Sequence, residues 1–313
     1  MRSPEPVLTR SRVGRTAVVA VGLTLLAVSG CASPTESSNR APDLLHRLPK
    51  EYQQSREILV GSDFRTPPLE YRGEAGVPTG MEVDLATAIS EQLGVRFKFV
   101  DTPFDGLIRG LNAKTYDMIL SGMTDTPERQ AGTQQGQSPT VGGVDFVDYF
   151  MAGSAVVTAK GNPKRISSFD DLCGKSVALR SGTIYQDFTE RQSQYCSSSK
   201  ANKSGIVIEP VQSEAEAFSA VASGRADATM TDYPVAVYQV RTVTEGAGLE
   251  LAVSQIRPKP YGMAVRKGDN ALAETLVKAV DRLISSGTYE AILKKWHVEQ
   301  GAVYSALINS ADN

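Results

Sequence analysis

The segment 117–129 combines side chains that could bind a carboxylate. An apolar run, 118–120, is followed by Ser121, Thr124 and then Arg129. Such a run is typical of a strand in a parallel sheet, and ligands of open α/β sheets lie beyond the carboxyl ends of the strands. Hydroxyls and backbone amides bind single oxygens, whereas a guanidinium binds both oxygens of a carboxylate. We therefore predict an anion site here, the alternative being that Arg129 lies on a solvated helix face.

A second segment repeats this spacing and ends in a carboxylate. An apolar residue, an aspartate and a hydroxyl recur at the same intervals, as Leu111, Asp117 and Ser121 and as Val221, Asp227 and Thr231. The repeat predicts two similar α/β units. After Thr231 stands Asp232, where the first copy has Gly122. One unit thus offers an arginine and the other an anion, a pair that suits a zwitterion, unless Asp232 is an ordinary loop or cap aspartate.

Several segments, in order along the chain, resemble the solute-binding proteins of polar amino-acid ABC importers. They are PPLEYRGEAGVPTGMEVDLATAISEQLG, PFDGLIRGLNAKTYDMILSGMTDTPER, VDFVDYF, DLCGKSVALRSGT, GRADATMTDYPVA, YGMAVRKGDN and GTYEAILKKW, and they extend from about Ile58 to Val303. The resemblance implies an α/β, two-lobe, periplasmic-binding-protein-like (type II) hinged fold. One lobe would comprise residues 53–151 and 261–313, and the other residues 152–260. Closure of the lobes around a ligand follows from that arrangement.

The resemblance also implies the ligand and the partners. A small-molecule amino acid is bound without a cofactor and without catalysis, and is passed to an ABC permease. The chain has no Gly-x-x-x-x-Gly-Lys-Ser/Thr motif, so the importer's ATPase would be a separate chain. The expected ligand-binding residues are Asp63, Phe64, Phe104, Ser121, Gly122, Thr124, Arg129, Thr183, Ile184 and Asp232.

The resemblance assigns parts of the ligand to these residues. The carboxylate is held by Ser121, Thr124, Arg129 and amides near Thr183, and the ammonium by Asp232. The family's Gly-Thr-Thr-Gln pattern is altered here to Gly-Thr-Ile-Tyr-Gln, which puts the role of Gln186 in doubt.

Aromatic residues are expected on the walls of the pocket. Phe104 would pack on the ligand, or else is simply core. An aromatic residue that is common in the family near Thr66 is missing, and Phe64 could partly replace it.

Asp63 matches a family acid that reaches ligand side chains, although it could instead cap the following turn. A desolvated carboxylate without a donor is costly, so Asp63 favours glutamine, arginine, lysine or histidine as the ligand. Glutamate remains the alternative if Arg65 or Arg180 turns inward.

The amino terminus resembles a bacterial lipoprotein signal. Four arginines precede a short apolar stretch, 17–28, and the sequence Val-Ser-Gly then leads to Cys31. Residues 1–30 would be the signal peptide, Cys31 the lipidated first mature residue, and 31–52 a flexible tether. The protein would therefore lie on the extracytoplasmic face of the bacterial cell membrane, the alternative being an uncleaved anchor.

Export would place Cys173 and Cys196 in an oxidising compartment, with no third thiol left over once Cys31 is lipidated. A disulfide is the natural pairing, although two free buried thiols are the alternative.

Charge and histidine content exclude other classes of function. The segment 1–30 carries four arginines and one glutamate, so its removal changes the formal net charge from −2 to −5. This balance argues against a nucleic-acid partner. His46 and His297 form no cluster with metal-ligand spacing, so no metal site is predicted.

An exported dehydratase-like enzyme acting on a small carboxylic acid is the alternative function. Asp125 and Glu128 would be its acid or base candidates, but neither has a recognisable catalytic partner in the sequence.

Overall fold

A computed structural model describes residues 43–133, 142–242 and 248–311 of the 313-residue chain. The predicted signal peptide 1–30, the predicted lipidation site Cys31 and the tether up to residue 42 lie outside the described residues. The segment 130–143 is rich in Gly, Gln, Ser and Thr, which predicts a surface loop, and residues 134–141 of it also lie outside the described residues. Within the described ranges, no helix is both long enough and apolar enough to cross a bilayer.

The strands, in chain order, are β1 (Glu57–Ser62), β2 (Arg65–Thr66), β3 (Glu70–Arg72), β4 (Pro78–Thr79), β5 (Arg96–Asp101), β6 (Met118–Ile119), β7 (Val144–Ala159), β8 (Ser176–Arg180), β9 (Val207–Val211), β10 (Ala228–Asp232), β11 (Leu249–Arg266) and β12 (Leu307–Ile308). The α-helices are α1 (Lys50–Ser55), α2 (Met81–Leu93), α3 (Leu107–Asn112), α4 (Pro127–Ala131), α5 (Ile184–Cys196), α6 (Glu214–Ala222), α7 (Tyr233–Thr242), α8 (Asn270–Ser285) and α9 (Thr288–Lys295). Short 3₁₀ turns cover Asp43–Arg47, Glu74–Gly76, Phe104–Gly106, Phe169–Leu172 and Glu299–Gly301.

The main sheet contains two parallel units joined by antiparallel strands. Its strand order is β5-β1-β6-β11-β7-β10-β8-β9, with β12 pairing on β7. The strands β5, β1 and β6 are parallel and form what we call the first parallel unit. The strands β9, β8 and β10 are also parallel and form the second parallel unit. The two units therefore lie on opposite sides of β11 and β7, which agrees with the predicted α/β fold.

The predicted repeat is confirmed by equal contacts in the two units. Asp117 accepts the amide of Leu59 at 2.9 Å, at the start of β1, and its own amide donates to the carbonyl of the same residue. Asp227 accepts the amide of Ser176 at 3.0 Å, at the start of β8, and its amide likewise donates back. Each aspartate thus fixes the starts of two neighbouring parallel strands relative to each other. The hydroxyl residue four positions later, Ser121 or Thr231, therefore lies at the carboxyl end of its strand.

The two longest strands connect the units. β7 and β11 pair antiparallel from Leu249 opposite Ala159 to Arg266 opposite Val144. Met151 pairs with Pro260, so the two chain positions predicted as lobe boundaries lie opposite each other. The pairing register shifts between 251 and 262, where the ladder is therefore irregular.

The structure differs from the expected tether at residues 43–52. Leu44, Leu45 and Leu48 are 0%, 2% and 3% exposed and belong to the main core cluster. The 3₁₀ turn that carries the first two packs against α2 and α8. Removing three leucines from water outweighs the conformational freedom of this segment, so the folded body begins at residue 43 rather than 53.

The disulfide between Cys173 and Cys196 is present. The Cα atoms are 5.6 Å apart, and the bridge closes a sequence separation of 23 residues. It ties the turn before β8 to the end of α5, in the apolar cluster of the second parallel unit.

We predict that loss of this disulfide destabilises the protein. In the double variant Cys173→Ser, Cys196→Ser, the free energy of unfolding should fall by roughly 3 kcal/mol, because the unfolded chain gains conformational entropy. Chemical denaturation of the variant and of the oxidised wild type measures the difference. Equal unfolding free energies would contradict the prediction.

Candidate functional site

The predicted ligand residues come together where the two parallel units meet. All ten of them are buried, although polar and charged side chains are usually exposed. Ser121 and Thr124 follow β6 in the first unit, and Asp232 ends β10 in the second. The residues between β8 and α5 supply Thr183.

Arg129 is held by the turn before it and by the opposite unit. Thr126 caps α4, its hydroxyl accepting the amide of Arg129 at 3.2 Å. Arg129 is 2% exposed and donates to the carbonyl of Thr124 at 2.7 Å and to that of Gly182 at 3.1 Å. Burial lowers the pKa of Arg129 to about 10. Two backbone carbonyls thus orient the guanidinium. Because the group is buried away from water, its hydrogen bonds and charge interactions with an anion would be stronger than in solvent.

Asp232 is the corresponding charge of the second unit. It is 6% exposed and accepts a hydrogen bond from the hydroxyl of Tyr185, on the first turn of α5. Burial raises the pKa of Asp232, while the hydrogen bond from Tyr185 opposes this shift. The altered family pattern left the role of Gln186 in doubt and gave no role to Tyr185. That glutamine instead donates to Glu190, one turn further along α5.

The turn between β8 and α5 brings backbone amides and a close contact to the site. Thr183 precedes α5 and Ile184 begins it, so amides of the first helical turn are free to bind an anion. Gly182 has φ +78°, and a Cβ atom there would lie 2.9 Å from the Cα atom of Asp105. Only glycine allows the two units to approach this closely.

Phe104 lies beside two arginines. The guanidinium carbon of Arg129 is 5.5 Å from the ring centroid and that of Arg180 is 4.4 Å from it. Arg180, which is 4% exposed, donates to the hydroxyl of Thr66 at 2.7 Å, and its Nε lies 3.4 Å from Glu214. Arg180 therefore turns inward from the second unit and contacts the first.

The contacts of Asp63 change the interpretation of that residue. Arg65 binds both of its carboxylate oxygens, at 2.6 and 2.7 Å, and the amide of Phe104 donates to it at 2.9 Å. These contacts neutralise the charge that was expected to favour a cationic or amide side chain. Phe64 meets Phe99 edge-on, and the guanidinium of Arg72 lies over its ring.

Two fully buried glutamates lie in the site and were missed in the sequence. Ser121 donates its hydroxyl to Glu70 at 2.7 Å, and the amide of Gly122 donates to Glu82 at 2.8 Å. The hydroxyl of Tyr149 also donates to Glu82. The detectable signal was an acid directly after an apolar residue in each of two places, Leu69-Glu70 and Met81-Glu82.

Burial raises the pKa of both glutamates, and their mutual interaction raises that of Glu70 further. A hydrogen bond between the two carboxyls raises the pKa of Glu70 and lowers that of Glu82. These shifts favour the protonated form of Glu70, with its carboxyl hydrogen-bonded to that of Glu82.

The two candidate acids of the enzyme alternative have other contacts. Asp125 is fully buried and accepts from Gln130 at 2.7 Å and from the amide of Ala311 at 3.2 Å. Its carboxylate thus holds the carboxy-terminal segment. Glu128 is exposed on α4. Across the described ranges, His, Cys, Asp and Glu side chains form no group of three or more that could hold a metal ion.

Comparison with known proteins finds one family and several related structures. The family model "Bacterial extracellular solute-binding proteins, family 3" matches residues 58–299. The arginine-binding protein ArgT of Corynebacterium glutamicum is 26% identical over 99% of this chain and 98% of its own. The L-cystine-binding protein TcyJ of Escherichia coli is 25% identical over 91% of this chain and 96% of its own. An ancestral arginine-binding protein bound to arginine superposes with a TM-score of 0.68 and 34% identity, covering 77% of this chain and 97% of that one.

We predict that Gly182→Ala disrupts the contact between the parallel units. Gly224→Ala is the matched control, because Gly224 has φ +75° but no atom lies within 4 Å of the place that an added Cβ would take. Both variants should lose about 1 kcal/mol of unfolding free energy through backbone strain. Gly182→Ala should lose roughly 1–3 kcal/mol more, as is typical of overpacking, or relieve the clash by separation of the units.

Denaturant unfolding measures the first effect, and small-angle X-ray scattering detects the second as a larger radius of gyration. Equal unfolding free energies together with equal radii for the two variants would contradict the prediction.

Proposed function

The chain belongs to the bacterial extracellular solute-binding proteins, family 3, and from this premise we propose that it captures an amino acid between two lobes and delivers it to an ABC importer. The family works with a permease and an ATPase, and the proposed partners are those two proteins. The proposed ligand-binding residues are the ten predicted from the sequence, with the role of Asp63 reduced by its pairing with Arg65.

The observation that carries the proposal is the position of two buried, oppositely charged groups. Arg129 follows the last strand of the first parallel unit, and Asp232 ends the equivalent strand of the second. An α-amino acid presents a carboxylate and an ammonium on one carbon. A guanidinium from one unit and a carboxylate from the other therefore match the two charges of the ligand.

The first proposed lobe comprises residues 53–151 and 261–313, and residues 43–52 are added to it because they pack in its core. The second proposed lobe comprises residues 152–260. The proposed hinge lies in β7 and β11, near the pair formed by Met151 and Pro260. Irregular pairing in this part of β11 supports bending there, because an interrupted ladder has fewer hydrogen bonds to lose.

We predict that Arg129→Ala and Asp232→Ala each weaken amino-acid binding. Removing either group leaves the opposite charge of the ligand unpaired in a buried site, which costs roughly 2–5 kcal/mol, or about thirtyfold to several thousandfold in affinity. Calorimetry measures the affinity. Arg109→Ala and Asp170→Ala, at exposed positions, are the matched controls and should bind like the wild type.

The ligand for this measurement comes from a thermal-shift screen of the standard amino acids. A ligand at 100 times its dissociation constant adds about 2.7 kcal/mol of stability. Recovery of the ligand unchanged after incubation excludes the dehydratase alternative. If no amino acid stabilises the folded protein, the proposed function is wrong.

The protein is further proposed to be anchored through Cys31 on the extracytoplasmic face of the membrane. The support is the sequence of segment 1–31, with its arginines, short apolar stretch and small residues before the cysteine. The residues that follow Cys31 would then connect the lipid to the folded body.

We predict that Cys31→Ala releases the protein from membranes. Two acyl chains anchor a protein stably, and a chain without the cysteine has no thiol to carry them. Fractionation of cells that produce wild type and variant measures the release, with Ser33→Ala, two residues further along the chain, as the matched control. An unmodified Cys31 at the mature amino terminus of the wild type, seen by mass spectrometry, would refute the anchor.

A further inference from the structure

Two buried glutamates stand beside the residues proposed to bind the ligand. Glu70 begins β3 and Glu82 lies in the first turn of α2, and the amide of Glu82 donates to the carbonyl of Leu69 at 2.9 Å. This backbone contact places the two side chains next to each other. The hydroxyl of Ser121 donates to one oxygen of Glu70, and the amide of Gly122 donates to one oxygen of Glu82. We infer that Glu70 and Glu82 together form the subsite for a cationic ligand side chain, so that the ligand is arginine or lysine.

The charges of the surrounding cluster support a cationic side chain. Two of its carboxylates have arginine partners, Asp63 with Arg65 at 2.6 Å and Glu214 with Arg180 at 3.4 Å. Under the proposed function, Arg129 and Asp232 bind the two charges on the ligand's α-carbon. Glu70 and Glu82 then remain, and within the described residues neither forms a salt bridge. A cation from the ligand would offset one of the two negative charges that this pair carries when both acids are ionised.

The hydrogen bonding of the pair points the same way. Glu70 and Glu82 are 0% and 1% exposed. Apart from the proton that the two acids share, their second oxygens, Oε2 in each case, have no donor among the described residues. A buried acceptor without a donor costs free energy, and guanidinium or ammonium N–H groups are donors that also carry the compensating charge.

The shared proton gives this subsite a measurable property. Charged and titratable groups that face the pair are Tyr149 on β7, Arg180 on β8 and Asp232 on β10. Burial and the proximity of the two acids raise the pKa of Glu70, and burial raises that of Glu82, so the pair retains a proton in the free protein. A cation between them favours the doubly ionised form, so binding releases this proton. Affinity for the cation therefore rises with pH across the range in which the free pair is protonated.

The inference rests on the proposed function, and the experiment separates the two. Isothermal titration calorimetry of the full-length protein with arginine, lysine, glutamine and glutamate is performed in phosphate and in Tris at the same pH. Arginine or lysine should bind tightest. Its binding should be more exothermic in Tris by the amount that corresponds to about one proton released, because Tris takes up a proton with a larger release of heat than phosphate does.

The isosteric variants Glu70→Gln and Glu82→Gln keep the oxygen that accepts from Ser121 or Gly122 but remove one charge. Each should lose most of the proton release and bind arginine about tenfold to a hundredfold more weakly. Glutamine binding should change far less. Glu91→Gln, on the exposed face of the same helix α2, is the matched control and should behave like the wild type.

The outcomes are distinct. Tightest binding of glutamine or glutamate, or an arginine enthalpy that does not depend on the buffer, would overturn the inference while leaving amino-acid capture intact. Absence of binding by every amino acid would overturn the proposed function itself. If the two glutamine variants do not fold, the buffer dependence and the rise in arginine affinity with pH in the wild type still test the inference.

Discussion

The burial of charge between two parallel α/β units is the constraint on which the rest of this structure depends. Ionised groups taken out of water are costly unless they are paired or hydrogen-bonded. The interface between the units contains Arg129, Arg180, Glu214 and Asp232, all at most 6% exposed. Each is oriented by a neighbour, whether a carbonyl, a hydroxyl or an opposite charge. A site of this kind binds a charged ligand strongly because its groups are already desolvated and aligned.

The architecture brings these groups together by repetition. In both units an aspartate fixes the start of two parallel strands, through the contacts of Asp117 with Leu59 and of Asp227 with Ser176. The strand that follows therefore ends at an equivalent place in each unit, and the residues after it face the other unit across β7 and β11. The same local device with different residues at its end, Gly122 in one copy and Asp232 in the other, produces a site that is polar and asymmetric.

The charge at the Glu70 and Glu82 end of the site depends on which buried acids have arginine partners. Asp63 alone suggests a subsite for a cation or amide, but Arg65 satisfies both of its oxygens. Arg180 occupies one face of Phe104 and is accompanied by Glu214. The glutamates at 70 and 82 lie next to each other instead, and burial together with their proximity raises the pKa of Glu70. The net charge at this end of the site therefore depends on which acidic side chains have arginine partners. The number of acidic residues alone does not give it.

The α/β fold and the internal repeat were predictable from apolar runs, turn residues and repeated spacing, and the family from the resemblance of its ordered segments. The disulfide was predictable from the cysteine count together with the expected export. The structure adds that Leu44, Leu45 and Leu48 belong to the core, that Arg65 pairs with Asp63, and that Tyr185, Glu70 and Glu82 enter the site. Apart from the local pair of Arg65 and Asp63, these contacts arise from the docking of separate elements, as when Glu82 on α2 meets Tyr149 on β7. The partner of a charged side chain depends on the direction of the side chain and on what is packed opposite it, and neither quantity is encoded in residue type or local spacing.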